Sequence, residues 1–462
     1  MRNFTRSAWP AFALVLLATF ALALRGPLVA RPAECLALYL AAGAGWLWAL
    51  QRARQGHVSL RLVVAGAVLL RLAGLASDLR TSDDVQRVVW EGAVLLDGAS
   101  PYAYAPDAPE LEHLADAYPD LHESLNHREV PASYPPLVQA VGVVAAGMAD
   151  DLAAPDAGVR SVRAIFAFAD LLALVPLVAL LRRRQLPDGL ALAWGWCPLA
   201  VFEIAGAGHL EALALAPLLG ALALAERSRS RAAEVGAAAL FALAILSKLL
   251  PILLLPFFAR AARPAGSAAR PASALARGLL VVAFVVLGFA PFLPPFSSLR
   301  GVDRGLWTGL GEYAFRWDGL NLVHRFVEGA WSLEHERDLS WTDPRRLARA
   351  VLALAWFAWA WRTWRRERDP VRAALDLFGA WIVVSPILHP WYALWCVPWL
   401  AFRRSTAFAF LAFAAPLAFA PVVGWQRAGT WIEPAWLWPV LALPFALLLA
   451  RDHARAHARV TA

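Results

Sequence analysis

An all-α, polytopic transmembrane helical bundle is the fold class that three features of this 462-residue sequence predict. Hydrophobic residues make up 60% of the chain and charged residues only 17%, with a mean hydropathy of +0.53. A soluble domain carries about a quarter charged residues, so a single soluble domain is excluded. Apolar runs approaching the roughly 20 residues that a helix needs to cross a bilayer recur along the whole chain. Between them lie small clusters of arginine, the pattern of a multi-pass protein.

The runs begin near residues 8, 33, 58, 160, 189, 209, 234, 278, 345, 371, 391, 406 and 434, which makes about thirteen crossings. Arg2 and Arg6 precede the first run as they would in a secretory signal. No small-residue cleavage site precedes the charged turn 25–31, however, and further spans follow, so an anchored helix is expected. Positively charged loops stay cytoplasmic. An inside N-terminus puts Arg52 and Arg54, the triplet 182–184, Arg227, Arg229 and Arg231, the stretch 260–277, the cluster 362–368, Arg403 and Arg404, and the tail 451–459 on that side. Alternation then requires two irregular segments. Residues 135–148 form a half-helix in the outer leaflet, and 251–258 return to the cytoplasm as a short broken piece. The bundle reads as a single membrane-embedded domain, 1–462, with two long exterior loops, 78–134 and 297–344. The Ala/Arg/Pro/Ser stretch 261–277 is a cytoplasmic linker. Most of the acids gather on the exterior side.

A net charge of +8 would raise nucleic acid as a partner, but no basic face or arm is present, so none is expected. Lys248 is the single lysine among 43 Lys+Arg. Cys35, Cys197 and Cys396 are too scattered for disulfides or a metal site, and the histidines lack metal-ligand spacing. No metal and no cofactor is expected.

The most informative segment opens the first exterior loop: Ser82-Asp83-Asp84-Val85-Gln86-Arg87-Val88-Val89-Trp90-Glu91-Gly92. Adjacent carboxylates repel one another, which raises the pKa of at least one and suits a general base. The alternative is a cap for a helix over 85–96. Gly98 and Pro101 supply a turn that folds this helix back over the membrane surface, and Trp90, Tyr102 and Tyr104 supply aromatic faces. The loop closes on Asn126-His127-Arg128-Glu129-Val130-Pro131-Ala132-Ser133-Tyr134-Pro135-Pro136, where the paired prolines can start the next helix.

These strings resemble the polytopic GT-C-type glycosyltransferases that use a polyprenyl-phosphate sugar donor, most closely the bacterial mannosyltransferases and more distantly GPI mannosyltransferase I. The likeness rests on D-V-x-R, W-x-G, G-x-x-P-Y-x-Y-x-P and N-H-x-x-V-P-x-x-Y-P-P in the first loop. It continues at Gly208-His209-Leu210-Glu211, where that family commonly has G-H-x-D, at Leu246-Ser247-Lys248-Leu249-Leu250-Pro251, and at His389-Pro390-Trp391-Tyr392. It spans roughly residues 58 to 400. Glu211 in place of Asp, and Val88-Val89 in place of a tyrosine-bearing pair, are its two departures.

Other ionisable residues lie inside apolar stretches, where insertion costs about 2.5 to 3.5 kcal/mol each. Asp170 follows Arg163 by two helical turns and is expected to make a buried structural contact. Glu203, His209 and Glu211 cluster at one hairpin tip, either as a polar cap or as a lining for sugar or acceptor. Lys248 offers a compact ammonium beside a proline break, where a lipid phosphate would sit, or else a snorkelling interfacial cation. His389 either binds the donor phosphate or caps its helix. The tryptophans, including Trp356, Trp359, Trp361, Trp364, Trp395 and Trp399, mostly read as interfacial belt and lipid packing, not as sugar platforms. In the second loop Trp307, Glu312, Arg316, Trp317, Asp318 and His324 could close over an acceptor.

The resemblance implies transfer of mannose from a polyprenyl-phosphate donor to a glycan, glycolipid or protein hydroxyl on the periplasmic or extracellular face of the inner membrane. Asp84 would be the base and Asp83 its auxiliary, with Lys248 and His389 at the donor phosphate. Arg87, Trp90, Tyr102, His127, Tyr134, His209 and Glu211 would line the substrates. Another lipid-linked sugar such as a pentose, a transporter or lipid flippase, and a scaffold of an envelope polysaccharide pathway are the alternatives.

Overall fold

The computed structural model describes residues 8–149, 151–154, 156–227, 230–261, 271–317, 319–329 and 343–461. They are helical, with no strand among them beyond one isolated bridge between Ala99 and Arg300. The chain groups into two compact units: Met1–Ala67 with Leu181–Ala200 and Trp317–Ala462, and Val68–Leu180 with Val201–Arg316. The middle of the expected linker, 262–270, and part of the second loop, 330–342, fall outside the described residues.

Helix boundaries follow local chemistry. Pro32, Pro136, Pro344 and Pro370 open their helices, where a missing amide is harmless. Ser230, Asp343, Asp369 and Ser405 cap theirs by accepting a first-turn N–H.

Five helices are long and apolar enough to cross a membrane: Pro32–Ala53, Val159–Arg183, Ala274–Phe292, Thr406–Ala428 and Leu437–Arg455. A sixth results if Asp188–Gly195 and Pro198–Gly206, bent by 48°, count as one broken span. The expected thirteen runs therefore yield fewer full-length helices, because many end early. Trp9–Ala23 and Pro370–Val384 have 15 residues each, and Glu211–Arg227 and Arg231–Ser247 have 17. Pro344–Arg366 has 23 residues but carries arginines at both ends. The anticipated half-helix is Pro136–Gly147, and the broken piece is a 3-10 turn, Leu250–Leu254, running into Leu255–Arg260. On the Pro271–Phe289 helix, Leu275, Leu279, Val282 and Val286 share one exposed face, the stripe a lipid-facing helix presents.

In the first unit the indole of Trp46 donates to Ala193 O at 3.1 Å and that of Trp196 to Val63 O at 3.0 Å. Trp395 and Trp399 are buried around Phe378, not interfacial as the composition suggested. Trp361 is exposed and stacks on Trp364. Asp452 caps the Thr406–Ala414 helix from a distance, accepting from Thr406 N at 2.7 Å and Ala407 N at 3.1 Å.

The second unit is organised by two arginines. Asp170 is fully buried and pairs with Arg71, which is 99 residues away, in a two-bond fork at 2.7 and 2.8 Å. The neighbour two turns back, Arg163, is engaged elsewhere. It donates to Gly74, Leu75 and Ser77 carbonyls at the end of the Leu60–Ala76 helix, and to Ala205 O in the π-helical turn Val201–Gly206. The last carbonyls of a helix have no partner in the next turn, and Arg163 meets these, although Gly74 O also accepts from Ser77 N at 3.0 Å.

Because both charges of the Arg71–Asp170 pair are desolvated, removing one leaves the other uncompensated. Asp170→Ala is expected to lower unfolding stability by about 3–5 kcal/mol. Arg71→Met combined with Asp170→Leu should recover most of that loss. Thermal unfolding of the detergent-purified protein checks it: a double variant no more stable than Asp170→Ala would mean that the uncompensated charge is not the cause.

Candidate functional site

The site is built where the Asp84–Leu96 helix begins, all within the second unit. Asp83 occupies the N-cap position but its side chain makes no capping bond; Ser82 Oγ accepts from the Asp84 N–H at 3.2 Å. Both carboxylates turn instead to Asn126, whose amide donates to Asp83 Oδ1 at 2.6 Å and to Asp84 Oδ1 at 3.0 Å. The Tyr134 hydroxyl donates to the other oxygen of Asp84 at 3.3 Å. Asp83 is exposed, with neighbouring protein displacing part of the water around its carboxyl. That desolvation, then the charge of Asp84, raises its carboxyl above the ordinary value, with the Asn126 bond opposing them.

His209 approaches from the turn after the π-helix. Its Nε2 lies 3.7 Å from Asp84 Oδ2 and its Nδ1 3.2 Å from Glu203 Oε2, and both His209 and Glu203 are buried. Gly208 makes the approach possible. It has φ +79°, the left-handed region, and a Cβ there would stand 2.7 Å from Val85. Burial opposes protonation of His209, but the bond and charge of Glu203 and the charges of Asp84 and Glu211 outweigh it, so the imidazole is held above its ordinary value. Two residues on, Glu211 accepts a hydrogen bond from Lys248 Nζ at the end of the Arg231–Ser247 helix. Lys248 keeps 20% of its side chain exposed, whereas Glu211 is buried.

Arg87 is buried beneath this cluster. Its guanidinium donates to the carbonyls of Asn126 at 3.2 Å, His127 at 2.9 Å and Val130 at 2.8 Å, so it contacts the loop main chain. Trp90 is 1% exposed and packs on His122 with ring centroids 5.1 Å apart. Tyr102 is buried edge-on to Phe292 and donates to Tyr134 O at 2.8 Å. The His127 ring stands 3.4 Å from Glu129, with its backbone at φ +44°. His389 lies in the first unit, stacked on Trp391 at 4.4 Å. In the second loop, Arg300 pairs with Asp97 and Arg304 with Glu110 at 2.6 Å. Trp307 is exposed beside Phe289, and Gly309 packs on the Pro131 and Ala132 carbonyls. His324, in the first unit, is buried 3.5 Å from Glu328. The expectation for Asp318 lies outside the described residues. Among the described residues no group of three His, Cys, Asp or Glu is arranged to hold a metal.

The structure thus gathers Asp83, Asp84, Tyr134, His209, Glu211 and Lys248. It adds one residue absent from the sequence-derived set, Asn126, which bridges both carboxylates, and it puts Glu203, expected as a polar cap or a lining, against His209. Asn126 lies 42 residues from Asp84, so no local spacing marks it; its only signal is its place in the N-H-x-x-V-P string.

A raised His209 value means that the folded protein keeps a proton that the unfolded chain releases. The resulting stabilisation is complete below about pH 6.5 and is lost as pH rises through the folded-state value. The unfolding midpoint should therefore fall by a few degrees across that window, and His209→Gln should flatten the fall. An identical pH dependence in the variant would exclude His209 as its source.

The profile of the alpha-(1->6)-mannopyranosyltransferase family, N-terminal domain, matches residues 12–264. That is more than half of the chain and includes every residue of the cluster around Asp84. No curated protein and no solved structure gave a match. The chain belongs to the alpha-(1->6)-mannopyranosyltransferase family and is a membrane mannosyltransferase.

Proposed function

We propose that the protein transfers mannose from a polyprenyl-phosphate donor to an acceptor hydroxyl on the non-cytoplasmic face of the inner membrane, forming an α-(1→6) bond. The thirteen-crossing layout of short and broken helices, with the loops 78–134 and 297–344 outside, belongs to this reading. The observation that carries it is the Asp84 carboxylate, held on one oxygen by Asn126 and on the other by Tyr134, with the His209–Glu211 turn leading to Lys248.

In the proposed step Asp84 takes the proton of the acceptor hydroxyl as that oxygen bonds to the anomeric carbon. The bond from the anomeric carbon to the phosphate oxygen breaks, and the electron pair leaves with the polyprenyl phosphate. Lys248, shared between Glu211 and the departing phosphate, offsets the developing charge. Asp83 repels a second negative charge and keeps the pair basic. Tyr134, His209 and Glu211 line the sugar and acceptor, while Arg87, Trp90 and Tyr102 act beneath them. A lipid-linked donor suits a chain in which no nucleotide-binding loop is visible.

Asp84→Asn should lower transfer from a radiolabelled polyprenyl-phosphate mannose by about 10²- to 10⁴-fold in purified, folded protein, the range for loss of a general base. Lys248→Met should reduce kcat by about 10-fold or more, because a charge-stabilising contact in the transition state is removed. Undiminished transfer by Asp84→Asn would sink the base assignment. Equal turnover of a nucleotide-linked mannose would sink the donor class, and preference for a pentosyl lipid would replace the sugar.

A further inference from the structure

Beneath the cluster lies a carboxylate that the proposed chemistry does not use. Glu91 is buried one helical turn below Arg87. One of its oxygens accepts from Arg87 Nη2 at 3.3 Å and the other from Gln139 Nε2 at 2.7 Å. A buried acid is costly even when compensated, and packing alone would be served as well by an apolar residue of similar volume. Its two partners indicate what it does instead.

Arg87 and Gln139 each hold one end of the 126–134 segment by its main chain. Arg87 grips the carbonyls of Asn126, His127 and Val130. Gln139 Nε2 reaches Tyr134 O at 3.3 Å, beside the Tyr102 hydroxyl on the same oxygen. The residues at the two ends of that segment, Asn126 and Tyr134, are the ones whose side chains hold the two oxygens of Asp84. Glu91 is the common anchor of both grips. It meets Gln139 because the two helices cross at Gly92 and Gly142, where a Cβ on either would collide with the other's backbone.

We infer that Glu91 is a positioning residue that sets the orientation of the Asp84 carboxylate through Arg87 and Gln139, without touching substrate. The inference rests on the reading of Asp84 as the base. Losing the anchor leaves the acid in place but lets its amide and phenol partners drift, and a displacement of about 1 Å in a reacting group can cost about 100-fold. Donor binding at Lys248 is left alone, so the effect belongs in kcat.

The test uses the full-length enzyme in nanodiscs, with polyprenyl-phosphate mannose as donor. Glu91→Gln, nearly isosteric, should lower kcat by about 10- to 100-fold with the donor KM changed less than about twofold. Gln139→Met, which removes the second grip and no charge, should give the same split and keeps the test open should Glu91→Gln fold poorly. Asn126→Ala should also lower kcat, and combining it with Glu91→Gln should cost little beyond the worse single variant, because both act through one hold on Asp84. Wild-type kcat in Glu91→Gln or Gln139→Met, a loss confined to KM, or fully multiplicative losses in the double variant would overturn the inference. Asp84→Asn is run alongside. If it transfers normally the base assignment itself has failed; if it is inactive while Glu91→Gln and Gln139→Met are normal, only the positioning role has.

Discussion

The contact between Gly92 and Gly142 sets the support beneath Asp84. With no side chain on either residue, the Asp84–Leu96 and Pro136–Gly147 helices approach to backbone contact. That approach places Glu91 against Gln139, and Gln139 lies five residues after Tyr134, whose hydroxyl reaches Asp84. Larger residues would separate the helices by more than a hydrogen bond can span. The support beneath Asp84 would then lose both of its ends together.

Electrostatic compensation follows the same logic through the second unit. Buried charges there are paired: Arg71 with Asp170 and Glu211 with Lys248 between segments far apart in the chain, Glu203 with His209 and Glu91 with Arg87 within a turn or two of one another. Arg163, with four carbonyls and no carboxylate, closes a helix end. Arginine serves wherever several fixed carbonyls or a forked carboxylate must be met at once. The one lysine meets the Glu211 carboxylate with its ammonium and remains partly exposed.

Local rules predicted much of this correctly. Adjacent aspartates, a proline-started helix at Pro136, a break after Lys248 and helical structure throughout follow from residue-level chemistry that needs no distant partner. The partners themselves did not follow. The buried structural contact expected of Asp170 is made, but its partner is Arg71 on another helix, while Arg163, two turns back on its own helix, serves carbonyls. The tryptophans near residue 395 look interfacial by composition, but they fill the space around Phe378. Five of the described helices are both long and apolar enough to span by themselves, so many of the thirteen apolar runs correspond to shorter or broken helices.

Composition and short-range pattern were therefore enough to specify an all-helical membrane protein and to single out the aspartate pair, because hydropathy, helix starts and adjacent charges are local properties; the family followed from the resemblance of its short strings to known proteins. The environment of Asp84 is a different matter. Asn126, Tyr134 and His209 reach it across 42, 50 and 125 positions of chain, and Glu91 supports two of them from below. Which groups meet over such separations depends on how helices pack and which backbones can touch. Only the closed tertiary structure brings an amide, a phenol and an imidazole to the same carboxylate.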